Sequence, residues 1–320
     1  MRFPLSMSLL AAITIAACGA PGATGAPESS ASAPRVTSPT PTGQSGVFGA
    51  CRLPVGVPYV AGEAPAGWLD LPSGTFSRDP MSLGVSDSNQ IAWDAAIGRW
   101  IPTIPRNVSP DGAAYVPPFD GTFRLVDART GAVLHAIQRK DVLLQHVVAY
   151  TASGIYMTAI AQDMSPVPGL WKIDPSSGVL TRVSSAPGYW EIADGTSAWG
   201  TDTKATVLRM DLATGVATEI YKSSYQLGDV AGFAGSGVLV FRSADTPGTF
   251  AAMVVRQDGS VAPVDVPVAL QGKYFNAYSQ DGSAVLISGH GFGLAAFDEN
   301  HGLKVVTTTP DNLAVLGPCI

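Results

Sequence analysis

Short apolar segments alternate with polar turns along most of the chain, and one arrangement of the two recurs. An apolar run leads into Asp-x-x-Thr/Ser-Gly, and a second apolar run follows the glycine. The Asp side chain can accept hydrogen bonds from the backbone N–H groups of the turn, and glycine supplies a positive φ angle, so each copy predicts a β-hairpin. Three clear copies span 125–133, 173–180 and 210–216, with looser or shortened copies at 93–100, 256–261 and 297–303.

A second type of turn precedes these hairpins. It is an Asp-Gly or Ser-Gly pair followed by a short apolar strand, found at 111–112, 153–154, 194–195, 236–237 and 281–282. The successive glycines are spaced 42, 41, 42 and 45 residues apart. Two turns in each repeat of about 42 residues are typical of the four-stranded blades of a β-propeller. The pattern therefore predicts an all-β protein built as a propeller.

The repeat length also predicts the number of blades. Residues 47–320 hold about six and a half repeats, and five blades are expected to begin near residues 105, 146, 188, 229 and 273. The sixth blade is expected to be split between the two ends of the chain. Its N-terminal strands are predicted within 67–76 and 90–104, and its last strand within 312–316. A blade shared in this way leaves no open sheet edge.

Composition narrows the class of protein further. Only 14% of the 320 residues are charged and the net charge is −6, whereas glycine and proline together contribute 35 and 25 residues. These values exclude a coiled coil, a helical bundle, a disordered acidic chain and a basic nucleic-acid-binding protein. We therefore expect a turn-rich globular protein with no nucleic-acid partner.

The N-terminus carries a short apolar run, 9–17, behind a single Arg2. This run is too short to span a bilayer and fits the apolar region of a secretory signal. It ends in Ile15-Ala16-Ala17-Cys18, which resembles the bacterial lipobox. The resemblance implies that residues 1–17 are cleaved as a lipoprotein signal peptide and that Cys18 is lipidated and N-acylated, with palmitate or a similar chain. An ordinary signal peptide with an incidental cysteine is the alternative.

Residues 18–46 are predicted to be the lipidated cysteine and a disordered tether. Of the 28 residues after Cys18 in this range, 24 are Gly, Ala, Pro, Ser or Thr, and no apolar periodicity is present. Such a segment has nothing to offset the entropy cost of ordering. The propeller domain is then expected over 47–320, held by lipid on the extracytoplasmic face of a bacterial membrane, in the cell envelope.

Two cysteines remain, and they bracket the predicted domain. Cys51 and Cys319 are expected to form a disulfide, because an exported protein lives where disulfides persist. Two free buried thiols, or different partners, are the alternatives. A bridge between them requires the two ends of the domain to be adjacent, which agrees with a split closing blade.

The turns resemble those of a known repeat family. Ser-Pro-Asp-Gly at 109–112 and Ser-Gln-Asp-Gly at 279–282 resemble the turns of TolB-type propeller repeats, and the Asp-x-x-Thr-Gly hairpins are similar to those of the same family and of WD-like bacterial repeats. The resemblance covers roughly 105–303 and implies a fold shared by binding platforms and by domains of some peptidases. Residues 127–135 also approach a quinoprotein repeat, but His135 stands where that repeat has Trp. No cofactor is therefore expected.

No catalytic or metal-binding motif is present in the sequence, so we predict no catalytic residue and no metal ligand. Three residues are candidate ligand-binding residues. His290 lies in a glycine-rich bend, and Tyr189 and Trp190 follow Pro187-Gly188, where an aromatic pair could stack on a sugar. The competing interpretations are a loop histidine, and tryptophans that pack between blades.

These observations favour a non-catalytic binding or scaffold protein whose propeller face contacts a protein or glycan partner. The alternative is a propeller enzyme, a hydrolase, lyase or cyclotransferase, with its site in the central funnel. The inner strands look mainly apolar and small, which weighs against the enzyme. Three or more converging Asp, Glu or His side chains in the funnel would favour it.

Overall fold

The computed structural model describes residues 46–320, except 58–59, 87–89, 119–121, 138–142, 162–165, 203–204, 244–249, 274, 290 and 309–312. The predicted signal peptide, Cys18 and nearly all of the predicted tether lie outside the described residues, so the boundaries at 17 and 46 stay predictions. The described part consists of short antiparallel strands with three short 3-10 turns at Pro80–Ser82, Pro105–Asn107 and Val268–Leu270. It contains no helix long and apolar enough to cross a bilayer.

The strands are short and follow one another closely. The first twelve are β1 (Cys51–Gly56), β2 (Ala66–Leu71), β3 (Thr75–Arg78), β4 (Ala92–Asp94), β5 (Arg99–Ile101), β6 (Ala114–Tyr115), β7 (Phe123–Asp127), β8 (Val133–Ile137), β9 (Leu143–Thr151), β10 (Gly154–Ile160), β11 (Pro166–Ile173) and β12 (Leu180–Ser184). The remaining strands are β13 (Tyr189–Ala193), β14 (Ser197–Thr201), β15 (Thr206–Asp211), β16 (Ala217–Lys222), β17 (Leu227–Ala234), β18 (Gly237–Ser243), β19 (Phe250–Arg256), β20 (Val261–Val264), β21 (Phe275–Asp281), β22 (Ala284–Gly289), β23 (Gly293–Asp298), β24 (Gly302–Thr307) and β25 (Ala314–Val315).

The strands assemble into a six-bladed β-propeller, and the predicted fold class is confirmed. Four blades are consecutive four-stranded antiparallel sheets, β9–β12, β13–β16, β17–β20 and β21–β24. The blade before them is β6–β8, which a bridge between Val108 and Tyr115 extends by a fourth segment. The closing blade has the strand order β25-β1-β2-β3, so it combines the two ends of the chain.

The recurring Asp turns form as their sequence predicts. In the turn after β7, Asp127 Oδ1 accepts hydrogen bonds from the backbone N–H groups of Arg129 at 3.0 Å and Thr130 at 2.7 Å. The turn closes at Gly131 with φ +72°. The equivalent glycines of the two other clear copies, Gly178 and Gly215, have φ +70° and +71°. Because β-carbon-bearing residues rarely adopt this conformation, each glycine fixes the position of its hairpin.

One part of the predicted closing blade is wrong. The segment 67–76 contributes β2 and β3, but 90–104 contributes no strand to that blade. Its strands, β4 and β5, form a separate two-stranded sheet instead. The reason is that β1 occupies the place beside β25, with Val55 opposite Val315, and pairs on its other side with β2. The β4–β5 hairpin is joined to this seam by the Trp93 N–H, which donates to the Leu316 carbonyl at 2.8 Å.

The seam is held by covalent and polar contacts. The structure contains a disulfide between Cys51 and Cys319, whose Cα atoms are 5.6 Å apart. Backbone hydrogen bonds of 3.0–3.1 Å join Arg52 and Ile320 in both directions. Burial raises the pKa of the Asp281 carboxyl, although the backbone N–H groups of Cys319 and Val47, which donate to it, act in the opposite direction. Asp281 thus holds both ends of the domain.

Three tryptophans join the β4–β5 hairpin to the closing blade. Trp68 packs edge-on against Trp93 with ring centroids 4.7 Å apart, and Trp100 lies 5.3 Å from Trp93. The indole N–H groups of Trp68 and Trp100 both donate to Asp79 Oδ2, at 3.1 and 2.9 Å. Burial acts to raise the pKa of Asp79, but the hydrogen bonds from Trp100, the Met81 N–H and Trp68 outweigh it and lower the pKa.

Replacing Asp79 with alanine is expected to lower the free energy of unfolding by about 2–4 kcal/mol, because two indole N–H donors lose their acceptor at once. Asp79→Asn keeps one side-chain oxygen and should fall between the wild type and the alanine variant. Urea denaturation followed by tryptophan fluorescence measures both. The control is Asp70→Ala, which breaks only an exposed ion pair with Arg52 and should cost less than about 1 kcal/mol. Equal losses for Asp79→Ala and the control would contradict this role.

Candidate functional site

The first strands of neighbouring blades line the centre of the propeller. Strand β13 contacts both β9 and β17, β21 contacts β17 and β25, and β9 contacts the turn Pro105–Asn107. Five polar side chains lie on these central elements: Arg106, His146, Glu191, Asp229 and Tyr278. They come from five different blades, and the structure brings them into one electrostatic environment.

Arg106 and His146 are in direct contact. Arg106 Nη1 lies 3.0 Å from His146 Nε2. Because a guanidinium can only donate, Nε2 must be the acceptor, which places the imidazole proton on Nδ1. Burial lowers the pKa of His146 to about 4, and the charge of Arg106 lowers it in the same direction. The imidazole is therefore neutral at physiological pH and presents its Nδ1–H as a donor.

Glu191 is placed by an irregularity in β13. Trp190 pairs with Gly200 and Ile192 pairs with Trp199, so Glu191 is the extra residue of a β-bulge. Bulges are frequent beside functional sites, where they re-aim a side chain. Glu191 Oε2 accepts a 2.5 Å hydrogen bond from the Val230 N–H.

Burial raises the pKa of Glu191 to about 8, with the Asp229 charge acting in the same direction. The Val230 N–H and Arg106 oppose this rise. Burial, Asp229 and Glu191 together raise the pKa of Tyr278 as well. At pH 7 the site therefore holds a cationic Arg106 and a largely protonated Glu191.

A cavity of about 230 Å³ lies between the blade of β6–β8 and the blade of β9–β12. His146 is on its wall, and so is Asn107. Asn107 is 7% exposed, and its Nδ2 donates to the Val116 carbonyl at 3.0 Å, which fixes the orientation of the amide. Its Oδ1 is buried and has no hydrogen-bond partner among the described residues. Buried polar atoms are nearly always paired, so this acceptor is an exception within the packed wall of the cavity.

Of the ligand-binding residues predicted from the sequence, the structure describes Tyr189 and Trp190. His290 and Cys18 lie outside the described residues. Tyr189 is 52% exposed, as a ligand-stacking residue must be. Trp190 is 1% exposed, because strand alternation turns it into the core beside Leu170 and Met210, in agreement with the competing interpretation that the tryptophans pack between blades.

The inner strands were expected to be mainly apolar and small, yet the central elements of five blades each carry a charged or polar side chain. Sequence reasoning missed Arg106, Glu191 and Asp229, and it treated His146 only as one of four scattered histidines. The sequence did contain a regular spacing that could have pointed to these residues. These four residues precede the turn glycine of their own blade, at 112, 154, 195 or 237, by four to eight positions. Among the described residues, however, no three His, Cys, Asp or Glu side chains are arranged to hold a metal ion.

The raised pKa of Glu191 has a consequence for stability. The folded protein retains this proton up to about pH 8, whereas an unfolded glutamate releases it near 4.5. The free energy of unfolding should therefore fall as pH rises toward 8, by at most about 1.4 kcal/mol per pH unit. His146, with its lowered pKa, has the opposite effect below about 6.5, so the decline is cleanest between pH 6.5 and 8.

Chemical denaturation at several pH values tests this, with Glu191→Gln as the matched variant. Glutamine keeps an oxygen for the Val230 N–H but cannot ionise. We expect the variant to lose the decline and to be more stable than the wild type at pH 8. Parallel profiles for the two proteins would contradict the assignment.

Comparison with known proteins supports the fold and identifies no activity. No protein-family model and no curated protein matches the chain. Among solved structures, a protein from Lactobacillus plantarum is similar with a TM-score of 0.52 and 15% identity, over 84% of this chain and 98% of that one. Oligogalacturonate lyase in complex with manganese is similar with a TM-score of 0.48 and 12% sequence identity, over 76% of this chain and 70% of that one. The dihydro-heme d1 dehydrogenase NirN in complex with DHE is similar with a TM-score of 0.48 and 13% sequence identity, over 86% of this chain and 77% of that one.

The likeness to the Lactobacillus plantarum protein supports the β-propeller fold. At such identities, none of the three structures carries a substrate or partner to this chain. The resemblance of the Ser-x-Asp-Gly turns to TolB-type repeats stays a prediction, because it rests on motifs of four or five residues.

Proposed function

We propose that this protein is a lipid-anchored binding protein of the bacterial cell envelope that takes a small ligand at the central site of its propeller. The observation that carries the proposal is the cavity of about 230 Å³ lined by Asn107 and His146, with Arg106 in direct contact with His146. Concave sites with mainly apolar walls and a few fixed polar groups are the usual form of small-molecule sites. Tyr189 lies two residues before Glu191 and is exposed. It is a candidate contact for a larger partner, a protein or a glycan.

The cellular location is part of the same proposal. It is supported by the lipobox-like sequence that ends at Cys18 and by the Cys51–Cys319 disulfide, since such bonds persist in oxidising compartments outside the cytoplasm. Cys18→Ala should release the protein from membranes and abolish metabolic labelling with a palmitate analogue. Retention of both membrane association and label in this variant would contradict the anchor.

Ligand-dependent stabilisation of the full chain tests the binding function. Thermal midpoints are measured against small carboxylic acids, sugars, peptidoglycan fragments, peptides and divalent cations. A ligand present at 100 times its dissociation constant stabilises the fold by about 2.7 kcal/mol. A genuine ligand of this site should protect the wild type and Arg129→Gln, whose arginine lies in an exposed hairpin turn, but not Arg106→Gln. No protection by any compound would contradict the proposal.

A second candidate function is an enzyme of the hydrolase, lyase or cyclotransferase type. One observation favours it: the charge of Arg106 acts on both His146 and Glu191, and Glu191 keeps its proton near neutral pH while His146 is neutral. Such a pair can act as general acid and general base. If the site is catalytic, Glu191→Gln abolishes turnover of an ester, glycoside or N-terminal glutamine substrate and leaves ligand binding intact.

A further inference from the structure

Two exposed arginines share an open cleft between the β4–β5 hairpin and the turn after β7. The cleft has a volume of about 330 Å³ and is lined by Ala96, Ile97, Arg99 and Arg129. Arg99 is held in place by a hydrogen bond that its guanidinium donates to the Ala128 carbonyl. Among the residues that the structure describes, neither arginine forms an ion pair with a carboxylate. Guanidinium groups bind phosphate and carboxylate oxygens well, so the cleft is suited to an anion.

The carboxylates of the two hairpins that form the cleft do not line it. Asp94 is 3% exposed, and its Oδ1 accepts hydrogen bonds from N–H groups of its own turn. Asp127 Oδ1 accepts hydrogen bonds from the N–H groups of Arg129 and Thr130. The charged part of the cleft wall is therefore formed by the two arginines.

Exposed aliphatic side chains adjoin the cleft. Val133 and Leu134 begin β8, directly after the turn that carries Arg129, and are 53% and 47% exposed. β8 is the outer strand of its blade and contains no Asp, Glu, Lys, Arg or Pro, whereas β3, β12, β16, β20 and β24 each contain at least one of these. Cationic side chains beside exposed aliphatic ones favour contact with the headgroup region of a bilayer.

The chain enters the domain on the same face of the propeller. The two hairpin turns of a four-stranded antiparallel blade lie at one end of its sheet. In the blade β21–β24 the first residues of the domain contact both turns: the Val47 N–H donates to the Asp281 carboxyl, and the Phe48 ring stacks on His301 at 4.4 Å. Arg129 lies in the corresponding turn of its own blade. Equivalent turns of a propeller share one face.

The segment that leads from Cys18 to this face is short. Its 28 residues, 19–46, reach about 30 Å as a random coil. A compact domain of this length is about 50 Å across. A lipid anchor on Cys18 therefore keeps the face that carries the cleft, on average, closer to the bilayer than the opposite face.

We propose that the cleft end of the propeller rests on the phospholipid surface in which Cys18 is anchored, an inference that depends on the proposed anchor. Arg99 and Arg129 bind headgroup phosphates, and Val133 and Leu134 enter the interface between headgroups and acyl chains. The contact holds the domain in one orientation. Val268, in the connection that leads into the end of β21 opposite Asp281, is directed away from the membrane.

Fluorescent labels on the two faces test this orientation. Ala132, exposed beside the cleft, and Val268, which is 82% exposed, are replaced singly by cysteine and labelled with a nitrobenzoxadiazole group. The lipidated protein is reconstituted into vesicles of phosphatidylcholine and phosphatidylglycerol, with and without brominated phosphatidylcholine as a quencher. We expect brominated lipid to quench the label at position 132 at least roughly threefold more than the label at position 268, because only the first lies at the interface.

Variants test the two arginines. In Arg99→Gln/Arg129→Gln, quenching at position 132 should fall to the level seen at position 268. The matched control, Arg182→Gln/Lys222→Gln, removes the same charge from exposed positions on other blades and should leave the quenching unchanged. If the first double variant does not fold, Arg129→Gln alone alters only an exposed turn and should lower the quenching by about half.

The possible failures are distinguishable. Equal quenching of the two labels, in protein that floats with the vesicles, would overturn the orientation and leave the anchor intact. Unchanged quenching at position 132 in the arginine variants would overturn the phosphate contact. Protein that does not float with the vesicles would overturn the proposed anchor, and this inference with it.

Discussion

Replacing both Cys51 and Cys319 with serine is expected to lower the free energy of unfolding by about 2–5 kcal/mol. The two residues are separated by 268 positions, so the bridge closes almost the entire domain into one loop. Constraining so long a loop removes a large amount of entropy from the unfolded chain, with a ceiling of roughly 5–6 kcal/mol. The effect should be large because the bridge joins β1 of the closing blade to the end of the chain beyond β25.

Denaturation in guanidinium chloride, with and without dithiothreitol, measures this contribution. Reduction should destabilise the wild type by about as much as the double substitution does, and it should leave the double variant unchanged. A double variant as stable as the oxidised wild type would show that the seam is held by β-pairing and by the Asp281 contacts alone.

Trp190→Ala is expected to destabilise the fold by about 3–5 kcal/mol, the usual cost of removing a large buried aromatic side chain. Trp190 is 1% exposed and packs against Leu170 and Met210 between two blades. Trp190→Phe should cost less. It fills much of the same space, and it removes a buried indole N–H that has no partner among the described residues.

The adjacent Tyr189→Ala is the matched control. Because Tyr189 is 52% exposed, its removal should change stability by no more than about 0.5 kcal/mol. Urea denaturation of the three variants gives the comparison. A Trp190→Ala variant with near wild-type stability would contradict the packing and return this residue to the candidates for ligand contact.

Local sequence signals were sufficient to predict most of the fold. The Asp-x-x-Thr/Ser-Gly hairpins depend on a side chain and a glycine within five residues of each other, and the structure forms them as expected at 127–131 and 174–178. The spacing of these turns then predicted the number and limits of the blades. The sequence prediction assigned the β4–β5 hairpin to the closing blade, because this hairpin carries at 94–98 the same turn signal as a full blade. Only the pairing of β1 with β25, which the local pattern does not contain, excludes it from the closing sheet.

The central site was less accessible to such reasoning. Arg106, His146, Glu191 and Asp229 are separated by about 40 residues each, and only closure of the propeller makes them neighbours. The orientation of Glu191 further depends on the bulge in β13, which has no clear sequence signature. The unpaired Oδ1 of Asn107 depends on how its amide meets the Val116 carbonyl. Such properties belong to the packed structure and cannot be read from spacing or composition.

The covalent closure of the propeller also determines how it responds to mechanical load. Tension applied between residues 51 and 319 passes through the disulfide, across Cα atoms 5.6 Å apart, and leaves the six blades unstretched. After reduction the same pull acts on the hydrogen bonds between β1 and β25 and can unravel 268 residues, an extension of roughly 900 Å at about 3.4 Å per residue. With the bridge intact, the domain is an inextensible link whose ends stay together under force.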